Sequence, residues 1–140
     1  MKIVALDGHT LNPGDNPWDP VAALGEFAVY DKTPDELVLE RATGAQVILT
    51  NKVPLTPAVF DALPELQFVS VTATGFNVVD TAAARARDIP VSNIPVYGTD
   101  SVAQYAMALL LEMCHHVGHH DGAVHRGGWK NSGYWSFWGT

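Results

Sequence analysis

The run Phe68-Val69-Ser70-Val71-Thr72-Ala73 is apolar or β-branched at nearly every position, without a clean alternation of polar and apolar side chains. Such a run suits a strand covered on both faces, and that environment belongs to parallel sheets flanked by helices. Thr74-Gly75 follows at once, and glycine lets the backbone turn sharply where the strand ends. In open α/β sheets, ligands sit at such carboxyl ends.

The rest of the first hundred residues repeats the theme. Lys2 to Asp7 is a first short apolar run ending in Asp-Gly, read as a strand and a loop, and residues 12–17 are turn-rich. A helix is expected from Trp18 and Asp19, with Pro20 early in it, until Gly25 stops it. Glu26 to Asp31 reads as the second strand. Thr33-Pro34-Asp35-Glu36 predicts a helix start, with Thr33 as N-cap and Pro34 at the first position, running to Thr43-Gly44. Ala45 to Asn51 is the third strand, Leu55 to Leu63 a helix opened by Thr56-Pro57, and Gln67 to Ala73 the fourth strand. Asp80 to Arg87 is a short Ala-rich helix, and Ile89 to Asn93 the fifth strand. Strands that alternate with helices predict a parallel, doubly wound sheet, because parallel neighbours need a crossover. The flavodoxin-like order 2-1-3-4-5 is expected.

Composition narrows the function classes. The chain has 140 residues, enough for one core that buries roughly 65–70% of the unfolded surface. Its net charge of -7 and lack of a Lys/Arg cluster argue against nucleic acid or an anionic membrane as partner, while leaving room for a small anionic substrate. A single cysteine, Cys114, allows no internal disulfide and suits a reducing cytoplasm. No signal peptide is visible, and no apolar stretch reaches the ~20 residues that span a bilayer.

Beyond the fifth strand the character changes. Ile94-Pro95-Val96-Tyr97-Gly98 reads as a linker, which sets an expected boundary between residues 1–98 and 99–140. Ser101 and Gln104 have the spacing of a capping box, and the helix expected from Val102 to Val117 is apolar nearly all round. Histidines 115, 116, 119 and 120 follow, then an aromatic arm with Trp129, Tyr134, Trp135, Phe137 and Trp138.

Four segments together carry a family resemblance. They are Thr74-Gly75-Phe76-Asn77-Val78-Val79-Asp80, Ile89-Pro90-Val91-Ser92-Asn93, Thr99-Asp100-Ser101-Val102-Ala103-Gln104, and His125-Arg126-Gly127-Gly128-Trp129. In this order they resemble the NAD(P)-dependent D-2-hydroxyacid dehydrogenases, most of all the glycerate dehydrogenase or hydroxypyruvate reductase branch. The resemblance implies a parent enzyme that uses NAD or NADP, its reduced form NADH or NADPH giving a hydride to the carbonyl of a small 2-keto acid. Members of that family continue into a Gly-rich dinucleotide fingerprint and a catalytic Arg, Glu and His, none of which is found in these 140 residues. The sequence itself agrees, since none of its glycines forms the G-x-G-x-x-G pattern that brings backbone amides to a pyrophosphate. The expectation is a substrate domain followed by the first helix and arm of a cofactor domain, with no catalytic residue, no bound cofactor and no activity of its own.

Candidate site residues follow from the same two sources. Backbone amides of Thr74, Gly75 and Phe76 suit a substrate carboxylate, since a tight turn converges N–H groups without charging the pocket, and the matching family turn has that role. The plain alternative is that Gly75 serves only a positive φ. Lys52, after the third strand, is either a substrate contact or a solvated surface lysine. By resemblance, Val102 faces the nicotinamide edge and Trp138 lines the substrate pocket of a neighbouring subunit, with Trp135 in a dimer interface. The paired histidines at i, i+4, with Glu112 nearby, have chelating spacing, but a polar helix end is the preferred reading and no metal is expected. The unpartnered apolar helix predicts a homodimer, with helix and arm exchanged in one version. A non-catalytic flavodoxin-like binding or interaction module is the competing function.

Overall fold

The computed structural model describes residues 1–134. They divide into two compact units, Met1–Val96 and a second that starts at Tyr97.

The first unit is built on five parallel strands: β1 (Lys2–Ala5), β2 (Glu26–Val29), β3 (Val47–Thr50), β4 (Phe68–Val71) and β5 (Val91–Ser92). Their order is β2-β1-β3-β4-β5, the flavodoxin-like order expected from the sequence. Val4 pairs with Ile48, Ile48 with Val69 and Val69 with Val91, so β-branched side chains from four strands lie in one row. The strands are shorter than the apolar runs that announce them, because the last residues of each run already belong to the turns at the carboxyl edge.

Crossovers are made by α1 (Gly8–Leu11), α2 (Asp19–Ala22), α3 (Val38–Ala42), α4 (Pro57–Ala62) and α5 (Thr81–Ala86). The order reverses between β1 and β3, so right-handed crossovers put α1 and α2 on one face and the other three on the opposite face. Helix α4 lies beside both α3 and α5. Their face holds the main core, with Ile48, Phe60, Val69 and Val71 fully enclosed. On the other side, Val47, Leu49, Phe68 and Ser70 are only half-buried. The Phe68–Ala73 run is therefore well covered on one face only, a correction with a simple cause: α1 and α2 have four residues each and cannot roof a five-stranded sheet.

Local chemistry in this unit departs from expectation at two helix starts. A short helix, α1, occupies the segment after β1 that was expected to be a loop. Thr33 does not cap the next helix; the first turn is a 3-10 turn, Asp35–Leu37, preceded by Pro34, while buried Thr33 accepts a bond from Arg41 Nη1 at 2.9 Å. Arg41 also stacks on the Tyr30 ring at 4.3 Å, which ties α3 to the end of β2. By contrast Asp80 caps α5, its carboxylate accepting the Ala83 N–H at 2.8 Å.

The second unit contains α6 (Thr99–His115), α7 (Val117–His125) and α8 (Gly128–Asn131). Helix α6 starts three residues earlier than expected, after Gly98, and the Ser101 to Gln104 capping box does not form because both residues are already inside the helix. The helix ends at His116, in the left-handed region at φ 49°. Gly118 does not break the chain. It lies within α7, and its N–H is held by both carboxylate oxygens of Glu112, at 3.1 and 3.2 Å.

Candidate active site at the carboxyl edge of the sheet

The reversal of strand order between β1 and β3 opens a crevice at their carboxyl ends, the place where open α/β sheets hold ligands. Here the chain bridges that crevice itself. Asp7, two residues past β1 and buried, accepts the Asn51 N–H with Oδ1 at 2.8 Å and Oδ2 at 3.0 Å, and Oδ2 also accepts the Lys52 N–H. The amides that an anion would find at the end of β3 are thus already held by a carboxylate of the protein.

From β3 the ties run on toward β4. Asn51 Nδ2 donates to the Thr72 carbonyl at 3.0 Å, and the Thr72 N–H donates to the Thr50 carbonyl at 2.8 Å. Beyond Thr72, the turn is fastened to the end of β5. Asn93 Nδ2 donates to the Thr74 carbonyl at 2.8 Å, Thr74 Oγ1 donates to the Ile94 carbonyl at 2.9 Å, and the Ile94 N–H donates to the Ala73 carbonyl at 3.0 Å. Four successive strand ends, those of β1, β3, β4 and β5, are laced into one edge by Asp7, Asn51 and Asn93.

The expected site residues sit along this edge. Thr74, Gly75 and Phe76 form the exposed turn after β4, and no intramolecular acceptor takes the N–H of any of the three among the described residues. Lys52 follows β3, next to β4 in the sheet; its backbone is fixed by Asp7 and its ammonium joins no ion pair among the described residues. Gly75 does not have a positive φ, which removes the plain explanation for a glycine there. A Cβ at Gly75 would meet only Asn77 Oδ1, at 3.4 Å, so packing does not require glycine either. Phe76, half exposed, also lines an open surface cavity of about 680 Å³ with Thr81, Arg85 and Asp88, a cavity that neither Lys52 nor Thr74 borders.

The remaining candidates lie in the second unit. Val102 is in the first turns of α6 and is 70% exposed. Trp135 and Trp138 lie outside the described residues. His119 and His120 meet edge to face, and His125 is paired with Asp121 at 3.3 Å. Among the described residues no three His, Cys, Asp or Glu side chains are grouped to hold a metal ion, and no helix is long and apolar enough to cross a membrane.

The turn after β1 offers no glycine cradle for a dinucleotide's pyrophosphate. The Gly8 N–H is taken by the Tyr30 carbonyl at 2.8 Å, and a Cβ on Gly8 would lie 2.4 Å from Val29 Cγ2, so that glycine serves packing and leaves no cradle for a pyrophosphate.

Sequence reasoning singled out Lys52 and the 74–76 turn but missed the residues that hold them. Asp7 looked like half of an Asp-Gly turn, and Asn51 and Asn93 like strand ends. The available signal was positional: three polar residues, each just past an apolar strand run, fall on one edge once the strand order is known.

Comparison with known proteins bears on the family and the fold. Residues 10–137 match the family model of the D-isomer specific 2-hydroxyacid dehydrogenase catalytic domain. A hydroxypyruvate reductase of Blautia hydrogenotrophica is 53% identical over 99% of this chain and 44% of its own length. A glycerate dehydrogenase of Methylorubrum extorquens is 35% identical over 94% of this chain and 41% of its own. Among solved structures, a D-2-hydroxyisocaproate dehydrogenase superposes over 100% of this chain and 43% of its own, with a TM-score of 0.73 at 21% identity. An NADPH-dependent glyoxylate/hydroxypyruvate reductase of Sinorhizobium meliloti gives 0.69 at 24% identity, over 97% of this chain and 41% of its own. The chain spans less than half the length of these relatives. With a matched segment that covers most of both units, the chain belongs to the D-isomer specific 2-hydroxyacid dehydrogenase family.

Proposed function

We propose that this chain is the substrate-gripping portion of an NAD(P)-dependent dehydrogenase that reduces hydroxypyruvate or glyoxylate to D-glycerate or glycolate. The observation that carries this reading is the 53% identity to a hydroxypyruvate reductase along almost the entire chain. The free amides of the 74–76 turn hold the substrate carboxylate, and the Lys52 ammonium meets the carboxylate or hydroxyl end of the same molecule. A glycine at position 75, required by neither backbone nor packing, supports close approach of a ligand to that turn.

The dinucleotide, which supplies the hydride, is held by residues other than these, with Val102 touching only its nicotinamide edge. On this reading the 140 residues alone neither bind the cofactor nor transfer hydride. The working protein is a homodimer built on α6 and the arm after it, and Trp138 of one subunit lines the pocket of the other. The test is direct. Added to NADH and hydroxypyruvate, the chain leaves NADH absorbance unchanged and shows no saturable NADH binding, whereas the full-length enzyme that contains it consumes NADH. Appreciable turnover by the 140 residues overturns the division of labour, and failure of the full-length enzyme to accept any 2-keto acid overturns the reaction.

A further inference from the structure

Asp7 precedes the first residue of α1, the position from which an aspartate ordinarily caps a helix, yet its side chain makes no cap bond. The carboxylate turns instead across the crevice to residues 44 and 45 positions away in sequence, and binds the N–H groups of Asn51 and Lys52. It is 6% exposed, and no cation pairs with it among the described residues. A buried charge held only by backbone amides fixes those amides closely, because each such bond is short and directional. What it fixes is the backbone of Lys52 and, through the Asn51 side chain, the Thr72 carbonyl two residues before the 74–76 turn.

We infer that Asp7 is a positioning residue for substrate binding: by locking the Asn51-Lys52 turn it sets the Lys52 ammonium and the 74–76 amides to meet one carboxylate together. This rests on the function proposed above. It predicts that Asp7 acts through Lys52, a coupling that a purely structural aspartate lacks.

The experiment is a double-mutant cycle in the full-length enzyme, with D7N, K52A and D7N/K52A assayed with hydroxypyruvate at saturating NADH, together with NADH affinity and thermal midpoint. D7N is expected to raise KM about tenfold with kcat changed less than about twofold and NADH affinity unaltered, and to add less than about twofold once Lys52 is gone. An unchanged KM in D7N, an equal effect of D7N in both backgrounds, or a parallel fall of kcat, NADH affinity and thermal midpoint overturns the inference. Amide hydrogen exchange on the same full-length proteins keeps the outcome separate from the assigned reaction. D7N is expected to speed exchange at Asn51, Lys52 and Thr72 by about tenfold or more while sparing β2. If the unmodified enzyme accepts no 2-keto acid, the proposed function fails. The substrate-positioning role fails with it, while exchange still decides the lock itself: acceleration that includes Thr72 upholds the tie from Asp7 through Asn51 to the β4 end, and acceleration that stops short of Thr72 overturns it.

Discussion

Asn93 reaches back across the last pair of strands to Thr74, its side-chain Nδ2 donating to the Thr74 carbonyl at 2.8 Å over 19 residues of sequence. Together with the bond from Thr74 Oγ1 to the Ile94 carbonyl, it holds the turn after β4 from its far side, as Asn51 holds it from the near side. The turn is exposed, and these ties, with the Ile94 N–H on the Ala73 carbonyl and the Val79 N–H on the Phe76 carbonyl, hold its shape.

Replacing Asn93 with Ala removes the donor and leaves a carbonyl that water can reach. The cost in stability is therefore small, about 0.5–1.5 kcal/mol in urea denaturation. The effect on the ligand is expected to be larger than this suggests. In the full-length enzyme, N93A weakens hydroxypyruvate binding while leaving NADH binding intact, and equal loss of both contradicts a role confined to the β4 turn.

Two glycines make a paired test of structure against ligand contact. A Cβ on Gly25 would lie 2.1 Å from the Met1 carbonyl oxygen, a backbone atom at the start of β1 that cannot step aside without disturbing the sheet. Gly25→Ala is expected to cost about 1–3 kcal/mol, the range for overpacking. At Gly75 there is room and an ordinary φ, so Gly75→Ala changes stability by less than about 0.5 kcal/mol. On the proposed function, hydroxypyruvate affinity of the full-length enzyme is nonetheless expected to fall about tenfold or more, because the added methyl group blocks the approach of the substrate carboxylate to the backbone assigned to it. Comparable thermal midpoints for both variants contradict the packing account of Gly25.

The sheet was legible because its signals are local. Most strands are short runs rich in apolar and β-branched residues, most crossovers open with Pro, Thr or Asp, and alternation of the two leaves few topologies. The turn at 74–76 and Lys52 were legible for the same reason, as polar breaks at strand ends. The lacing was not. Asp7 finds its partners 44 and 45 residues on, and nothing near Asp7 in the sequence distinguishes a carboxylate that caps a helix from one that crosses to the next strand. The same holds at the end of α6, which was expected to run to Val117: the chain turns at His116, and Glu112 supplies the acceptor that the start of α7 needs.

That acceptor gives another prediction. Glu112 holds the Gly118 N–H with both oxygens, in the manner of a cap delivered from the preceding helix. Glu112→Ala leaves this donor to water, and the site is exposed, so the expected loss is at the low end of capping energies, about 0.5–1 kcal/mol. Amide exchange at Gly118 and its neighbours in α7 is the suitable measurement. Faster exchange there, with the five strands unaffected, is the expected result, and unchanged protection at Gly118 contradicts it.

Every residue of α6 is exposed, including Val102, Tyr105, Met107, Leu109, Leu110, Leu111 and Met113. These side chains surround the helix, so no single neighbouring surface within a polar-faced arrangement could hide them. Covering even a few of them is worth about 1.5–3 kcal/mol each before the cost of association, which favours contact with a second copy of the chain. A homodimer is therefore the expected state in sedimentation velocity at micromolar concentration. Leu110→Glu places a charge in the middle of the contact and is expected to shift the population to monomer without unfolding the first unit, whose core shares no residue with α6. A stable monomer of the unaltered chain at high concentration defeats this account of α6. A dimer indifferent to Leu110→Glu moves the contact to another surface.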